Sequence, residues 1–149
     1  MATVRQNLGA FGEQVVAKQC ACPRCKQLQT LKRLPPNFKC ADLICDFCGF
    51  LAQVKTSTTT DVKTLPRTIL GAAWGPQKAR MDAAIYFPLY LVRTTADLGH
   101  YAIYYLSADL QPPELFLTRN PLKETAKRAG WTGFNYNIEA VRDRFVRIA

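Results

Sequence analysis

The residues with the plainest chemical signature are six cysteines, all between positions 20 and 48 of a 149-residue chain. Cys22-Pro23-Arg24-Cys25 and Cys45-Asp46-Phe47-Cys48 form two Cys-x-x-Cys pairs, nineteen residues apart. Each pair suits a tight knuckle whose two thiolates point at one ion, and two knuckles complete a tetrahedron for Zn²⁺. Pro23 inside the first pair and Gly49 after the second fit that turn chemistry. Four thiolates close the coordination sphere, so the metal is expected to be structural rather than catalytic. Cys20 and Cys40 lie outside the knuckles and read as small buried thiols.

A second constellation flanks the second knuckle. Residues 38–44 and 49–55 read as strands, and the Cys45–Cys48 turn joins them into a metal-tipped hairpin. Directly opposed residues of such a hairpin share an index sum, here expected near 93. Asp42 and Gln53 sum to two more, within diagonal reach across the ladder. Gln53 and Lys55 are two apart and share a face. A carboxylate, an amide oxygen and an ammonium on one small surface could hold Mg²⁺ and assist phosphodiester hydrolysis. The same spacing also suits an ordinary exposed strand.

The elements that must position these residues follow from the pattern around them. Residues 6–19 place Leu8, Phe11 and Val15 at helical spacing, with Gly9 and Gly12 allowing close approach to another element. Residues 56–65 read as a polar loop, and 66–83 as partly helical with an interruption at Gly75-Pro76. Strands are expected at 84–94 and 101–107 around a turn at Asp97-Leu98-Gly99. A strand at 114–118, a short helix at 121–129 and a final strand at 145–148 complete the chain. This order predicts one α/β domain over residues 1–149, a mixed sheet flanked by helices, with the metal-binding segment at about 20–50.

Composition narrows the partners. Apolar residues make up 48%, which predicts a packed core. No apolar run reaches the roughly 18 residues of a membrane span, and residues 1–6 lack a signal-peptide core, so a cytoplasmic protein with no membrane partner is expected. Lysine and arginine exceed the acids by nine, spread along the chain, which favours a polyanion such as nucleic acid.

The segment Asp42 to Lys55 resembles the hairpin active site of the PD-(D/E)XK nucleases. More closely, the chain resembles the catalytic domain of DpnI-type methyl-directed restriction endonucleases. There, one Cys-x-x-Cys pair precedes the active-site Asp, and a second sits between it and the acidic-x-Lys element. Cys22/Cys25, Asp42, Cys45/Cys48 and Gln53-Val54-Lys55 reproduce this order. The stretch from Thr125 to Asn135 resembles a downstream segment of that family, and Gly71-Ala72 falls where its central helix begins. The resemblance implies a restriction-endonuclease-like fold and Mg²⁺-dependent cleavage of double-stranded DNA, directed to methylated adenine. Asp42 and Gln53 would hold the metal, and Lys55 would stabilise the charged nucleophile. Glu13 resembles an extra acid that many of these enzymes carry on the first helix, where it orients the attacking water.

Two departures bear on this reading. Gln53 stands where the family usually has Glu, which removes one negative charge. The sequence also ends at Ala149, before the winged-helix domain of the DpnI type. Candidate DNA contacts are Lys63, Arg67, Lys78 and Arg80 after the hairpin, and Lys123, Lys127 and Arg128 near Trp131; each could equally be surface charge. Trp74 and Trp131 could meet bases or lie buried. Asp46 is expected to cap the knuckle, and His100 to be a solvated turn residue. Double-strand cutting generally needs two active sites, which points to a homodimer on DNA. The alternatives are a non-catalytic zinc-containing DNA-binding module and a structure-selective repair nuclease.

Overall fold

The first element is set by small residues. In the computed structural model, which describes residues 4–35, 41–72, 79, 83, 86–118 and 133–149, helix α1 spans Val4–Gln19. Val16 is fully buried on it, while Phe11 and Val15 are only partly covered. The helix approaches the sheet through Gly12 and Val16, one turn apart, while Val15 of the expected stripe packs at the edge of the same core and Phe11 meets the Tyr101 ring. At Gly12 an added Cβ would lie 1.8 Å from the Thr56 Oγ1, so the absent side chain is what lets α1 touch the sheet. At Gly9 the same atom would meet nothing within 4 Å.

Among the described residues the main sheet has six strands: β1 (Leu31–Arg33), β2 (Leu43–Cys45), β3 (Leu51–Thr58), β5 (Leu89–Thr94), β6 (Tyr101–Leu106) and β9 (Val146–Arg147), in that spatial order. β3 and β5 run parallel and the other neighbours antiparallel, which makes the sheet mixed, as expected. A second, antiparallel sheet orders β4 (Thr68–Ala72), β8 (Gly133–Asn137) and β7 (Phe116–Thr118).

Two apolar layers result. Val16, Ala52, Val54, Tyr90, Val92 and Ile103 pack on the α1 side. Leu89, Leu91, Leu106, Phe134, Tyr136 and Ile138 pack on the other, beneath the second sheet. Every residue of β5 is buried, as a central strand covered on both faces requires.

Several local expectations change. Residues 68–72 form a strand, not the start of a helix: Gly71 pairs with Phe134, whose ring occupies the space a side chain would need. The 56–65 loop begins later, because β3 runs on through Thr58 alongside β5. The strand expected from 84 starts at Leu89; Pro88, which lacks an N–H, contributes its carbonyl to the Gln53 N–H instead. The strand expected at 114–118 begins with a 3-10 turn over Pro113–Leu115. The turn at 97–99 forms as read, with Leu98 at φ 61 and the Asp97 carboxylate accepting from the Gly99 N–H. The helix expected at 121–129 lies outside the described residues, as do the interruption at Gly75-Pro76 and Cys40.

Candidate active site and metal centre

The two knuckles have the same internal construction. After Cys25, Lys26 adopts φ 65 and donates its N–H to the Cys22 carbonyl; after Cys48, Gly49 adopts φ 80 and donates to the Cys45 carbonyl. This left-handed residue after each pair turns both sulfurs to the same side. The Sγ atoms of Cys22, Cys25, Cys45 and Cys48 lie within 4.8 Å of one another. Cys22–Cys48 and Cys25–Cys45 are 3.6 and 3.7 Å apart. Zn–S bonds of about 2.3 Å in a tetrahedron imply edges of about 3.8 Å, whereas a disulfide needs about 2 Å. The cluster thus fits a four-thiolate metal and not a disulfide. At Cys45, burial opposes ionisation, but the Thr30 hydroxyl and the neighbouring N–H groups overcome it and bring the thiol down to about 6. Asp46 contributes its backbone N–H, donated to the Thr30 carbonyl. Cys20 is a buried core thiol, pushed up to about 11 by burial.

The metal cluster fixes the hairpin. β2 and β3 pair Leu43 with Ala52 and Ile44 with Leu51, a sum of 95 rather than 93. The difference comes from the turn: Cys45 donates its N–H to the Phe50 carbonyl, so residues 46–49 all belong to the loop. The paired register stops at Leu43, and Asp42, just before β2, donates its N–H to the Ala52 carbonyl. One Asp42 oxygen, Oδ2, accepts the Val54 N–H at 2.8 Å.

Beyond the start of β2 a cleft of about 580 Å³ opens along β3. Leu8, Gly9 and Glu13 of α1 line one wall, Thr68 to Leu70 of β4 the other, with Asp42, Lys55 and Ser57 between them. The structure thus brings Asp42, Lys55 and Glu13 together. Gln53 does not line this cleft; its Oε1 accepts a hydrogen bond from the Tyr136 hydroxyl at 2.9 Å.

The charges within the cleft are strained in their isolated form. Burial raises the Asp42 carboxyl, offset in part by the Val54 N–H and by Lys55. Burial and the Asp42 charge raise Glu13, while Arg33, 3.3 Å away on β1, draws it down. Burial lowers the Lys55 ammonium, against the pull of Asp42 and Glu13. Two desolvated, mutually repelling acids are an environment that a divalent cation relieves.

Of the candidate DNA contacts, Lys63 and Arg67 are exposed, and Arg67 is paired with Glu139 at 3.0 Å. Lys78, Arg80, Lys123, Lys127, Arg128, Trp74 and Trp131 lie outside the described residues. His100 is exposed beside the 97–99 turn. Sequence reasoning misses Tyr136, Arg33 and Arg93. Arg93 is buried beside Ser57, with its guanidinium 2.7 Å from the Ser57 hydroxyl. Each of the three reaches the site from a distant strand, and no local spacing marks it.

A mixed α/β sheet, bearing a hairpin stapled at its tip by four cysteines with a cleft holding Asp42, Lys55 and Glu13 behind it, is that of a restriction-endonuclease-like domain. The family model of DpnI, the Dam-replacing family, matches residues 3–147, so the chain belongs to that family and to the PD-(D/E)XK restriction-endonuclease class. Its type of function is that of a methyl-directed restriction nuclease. Among the described residues no helix is long and apolar enough to cross a membrane.

Proposed function

We propose that the protein hydrolyses phosphodiester bonds of double-stranded DNA with Mg²⁺, at adenine-methylated sites, using Asp42, Gln53, Lys55 and Glu13. The observation that carries this reading is the convergence of Asp42, Lys55 and Glu13 on one open cleft directly behind the cysteine-stapled turn. Asp42 offers a hard oxygen donor within the cleft, Gln53 would add a second only by turning its Oε1 from Tyr136 toward the cleft, and Zn²⁺ belongs at the four cysteines. Mg²⁺ supplies Lewis acidity toward the phosphoryl oxygen and the attacking water.

The chain's own groups do the rest. Asp42, ionised and fixed by the Val54 N–H, presents its remaining oxygen capacity to the cation. Lys55 places positive charge where negative charge grows as water oxygen bonds to phosphorus and the leaving oxygen departs. Glu13 orients that water and accepts its proton, with Arg33 holding the carboxylate in place. Lys63 and Arg67, exposed near the β4 wall, contact backbone phosphates.

The test is cleavage of plasmids of defined methylation status by the zinc-loaded chain. Asp42→Ala and Lys55→Ala should each abolish Mg²⁺-dependent cutting while sparing zinc content and folding; Gln53→Glu should keep or raise it. A wild-type chain that binds duplex DNA but cuts none of these substrates with Mg²⁺ or Mn²⁺ would make it a binding module. Preference for branched over linear duplexes would make it a repair nuclease.

A further inference from the structure

Behind the far end of the cleft lies a buried cation. Arg93 stands on β5, directly beside Ser57 of β3 in the parallel ladder, and is 8% exposed. Its Nε donates to the Thr64 carbonyl at 3.1 Å. One terminal nitrogen, Nη1, donates to the Ser57 Oγ at 2.7 Å and to the Thr58 carbonyl at 3.4 Å. All three partners are neutral oxygens, and among the described residues no carboxylate pairs with this guanidinium. A buried charge is ordinarily matched by an opposite one, and arginine does not shed its proton. Of the three partners only Ser57 lines the cleft, two residues beyond Lys55 and on the same face of β3.

We infer that Ser57 is a phosphate-binding residue of the cleft, its hydroxyl donating to a non-bridging oxygen of the DNA backbone, with Arg93 as the positioning residue behind it. The inference rests on the cleft being where the DNA strand lies. A guanidinium only donates, so the Ser57 Oγ accepts from it and the serine proton is left for another acceptor. Among the described residues Ser57 makes no other hydrogen bond. Accepting from a cation polarises the O–H and makes it a stronger donor, so Ser57 carries the charge of Arg93 to the cleft wall. The complement of such a donor is an anionic oxygen that only accepts. A backbone phosphate has that character, whereas a base edge carries no charge. The position supports the same ligand. Asp42 and Glu13 put negative charge in this cleft, Asp42 against Val54, three residues before Ser57. A donor backed by buried positive charge beyond them draws in a strand that the acids alone would repel.

The experiment is a cycle between protein and DNA on the full, zinc-loaded chain. Wild type, Ser57→Ala and Ser57→Thr are titrated by fluorescence anisotropy, with Ca²⁺ in place of Mg²⁺. The probes are an adenine-methylated duplex and copies of it carrying one neutral methylphosphonate at successive linkages. Ser57→Ala should weaken binding of the unmodified duplex about tenfold, the worth of one hydrogen bond to a charged acceptor. Ser57→Thr keeps the hydroxyl and should stay within about threefold of wild type. At one linkage the methylphosphonate should weaken wild type by about tenfold and Ser57→Ala by less than about twofold. Arg93→Lys should weaken binding when Ser57 is present and cost less than about twofold once it is alanine, because the guanidinium acts through that hydroxyl. Zinc content and circular dichroism check the fold. Undiminished binding by Ser57→Ala, or additive losses at every linkage, would overturn the inference and leave a serine that only braces Arg93. Mg²⁺-dependent plasmid cleavage separates the two levels. A chain that cuts while every linkage is additive loses only this inference, and coupling in a chain that does not cut keeps the phosphate site and loses the nuclease reading. A wild type that binds no duplex loses both.

Discussion

The same substitution made twice on α1 should have opposite signs. Gly9→Ala and Gly12→Ala each replace a glycine inside the helix, which by propensity alone stabilises by up to about 1 kcal/mol. At position 9 the new methyl meets nothing within 4 Å, so that gain is kept. At position 12 it meets Thr56 Oγ1 at 1.8 Å, Cβ at 3.0 Å and Cγ2 at 3.3 Å. Turning the Thr56 hydroxyl away does not solve this, because the Cβ contact is fixed by the backbone. The helix must lift from β3, and overpacking of this kind costs about 1–3 kcal/mol. The net expectation is a loss of about 0–2 kcal/mol at Gly12 against a gain of up to about 1 kcal/mol at Gly9. For a chain of this size each kcal/mol moves Tm by roughly 2–4 °C. Differential scanning calorimetry of the zinc-loaded protein without added Mg²⁺ reads both, and cleavage should fall with Gly12→Ala because Glu13 moves with the helix. Equal stabilisation by the two variants would refute the contact between α1 and Thr56.

Removing the staple should unfold the hairpin before the rest. Cys45→Ser opens a cross-link spanning 20 residues, worth about 3 kcal/mol by loop-closure entropy. Its Tm should fall by roughly 6–12 °C, with cleavage lost even in excess Mg²⁺; an unchanged melting curve would count against a structural metal. Asp42→Asn should stabilise the protein in the absence of divalent cations while abolishing cleavage. Because the folded Asp42 carboxyl is raised above its ordinary 3.8, the native state holds that proton more tightly than the unfolded chain. Stability is therefore lost as pH climbs from about 4 through the raised value, and Asn should remove that slope while still accepting the Val54 N–H. Urea melts from pH 3 to 8 check the sign. Lys63→Ala and Arg67→Ala should each lower the slope of log K against log salt for duplex binding by about one, without changing sequence preference.

How much of this is legible in the sequence depends on distance along the chain. The metal cluster is readable because its four ligands sit in two short turns whose geometry is local. The hairpin is readable too, although its register differs by two from the expected one, since spacing alone does not reveal that Gly49 takes φ 80 and joins the loop. β4 is hidden: Thr68 to Ala72 become a strand only by pairing with Gly133 to Asn137, more than sixty residues away, and no periodicity announces that partner. β1 leaves no pattern because it is three residues long. The convergence of Asp42 and Lys55 follows from strand alternation. Arg33 and Tyr136 require knowing which strands become neighbours.

The Cys45–Cys48 turn is also a ruler. Antiparallel partners conserve the sum of their positions, so the length of this loop sets which part of β3 the start of β2, and the aspartate just before it, lies beside. One residue added there must either be extruded, spoiling the knuckle, or slip the ladder and roll the carboxylate under the helix, away from the lysine. Insertion tolerance along this ribbon should accordingly be nil at its tip and return only past Thr58, where the chain leaves the sheet.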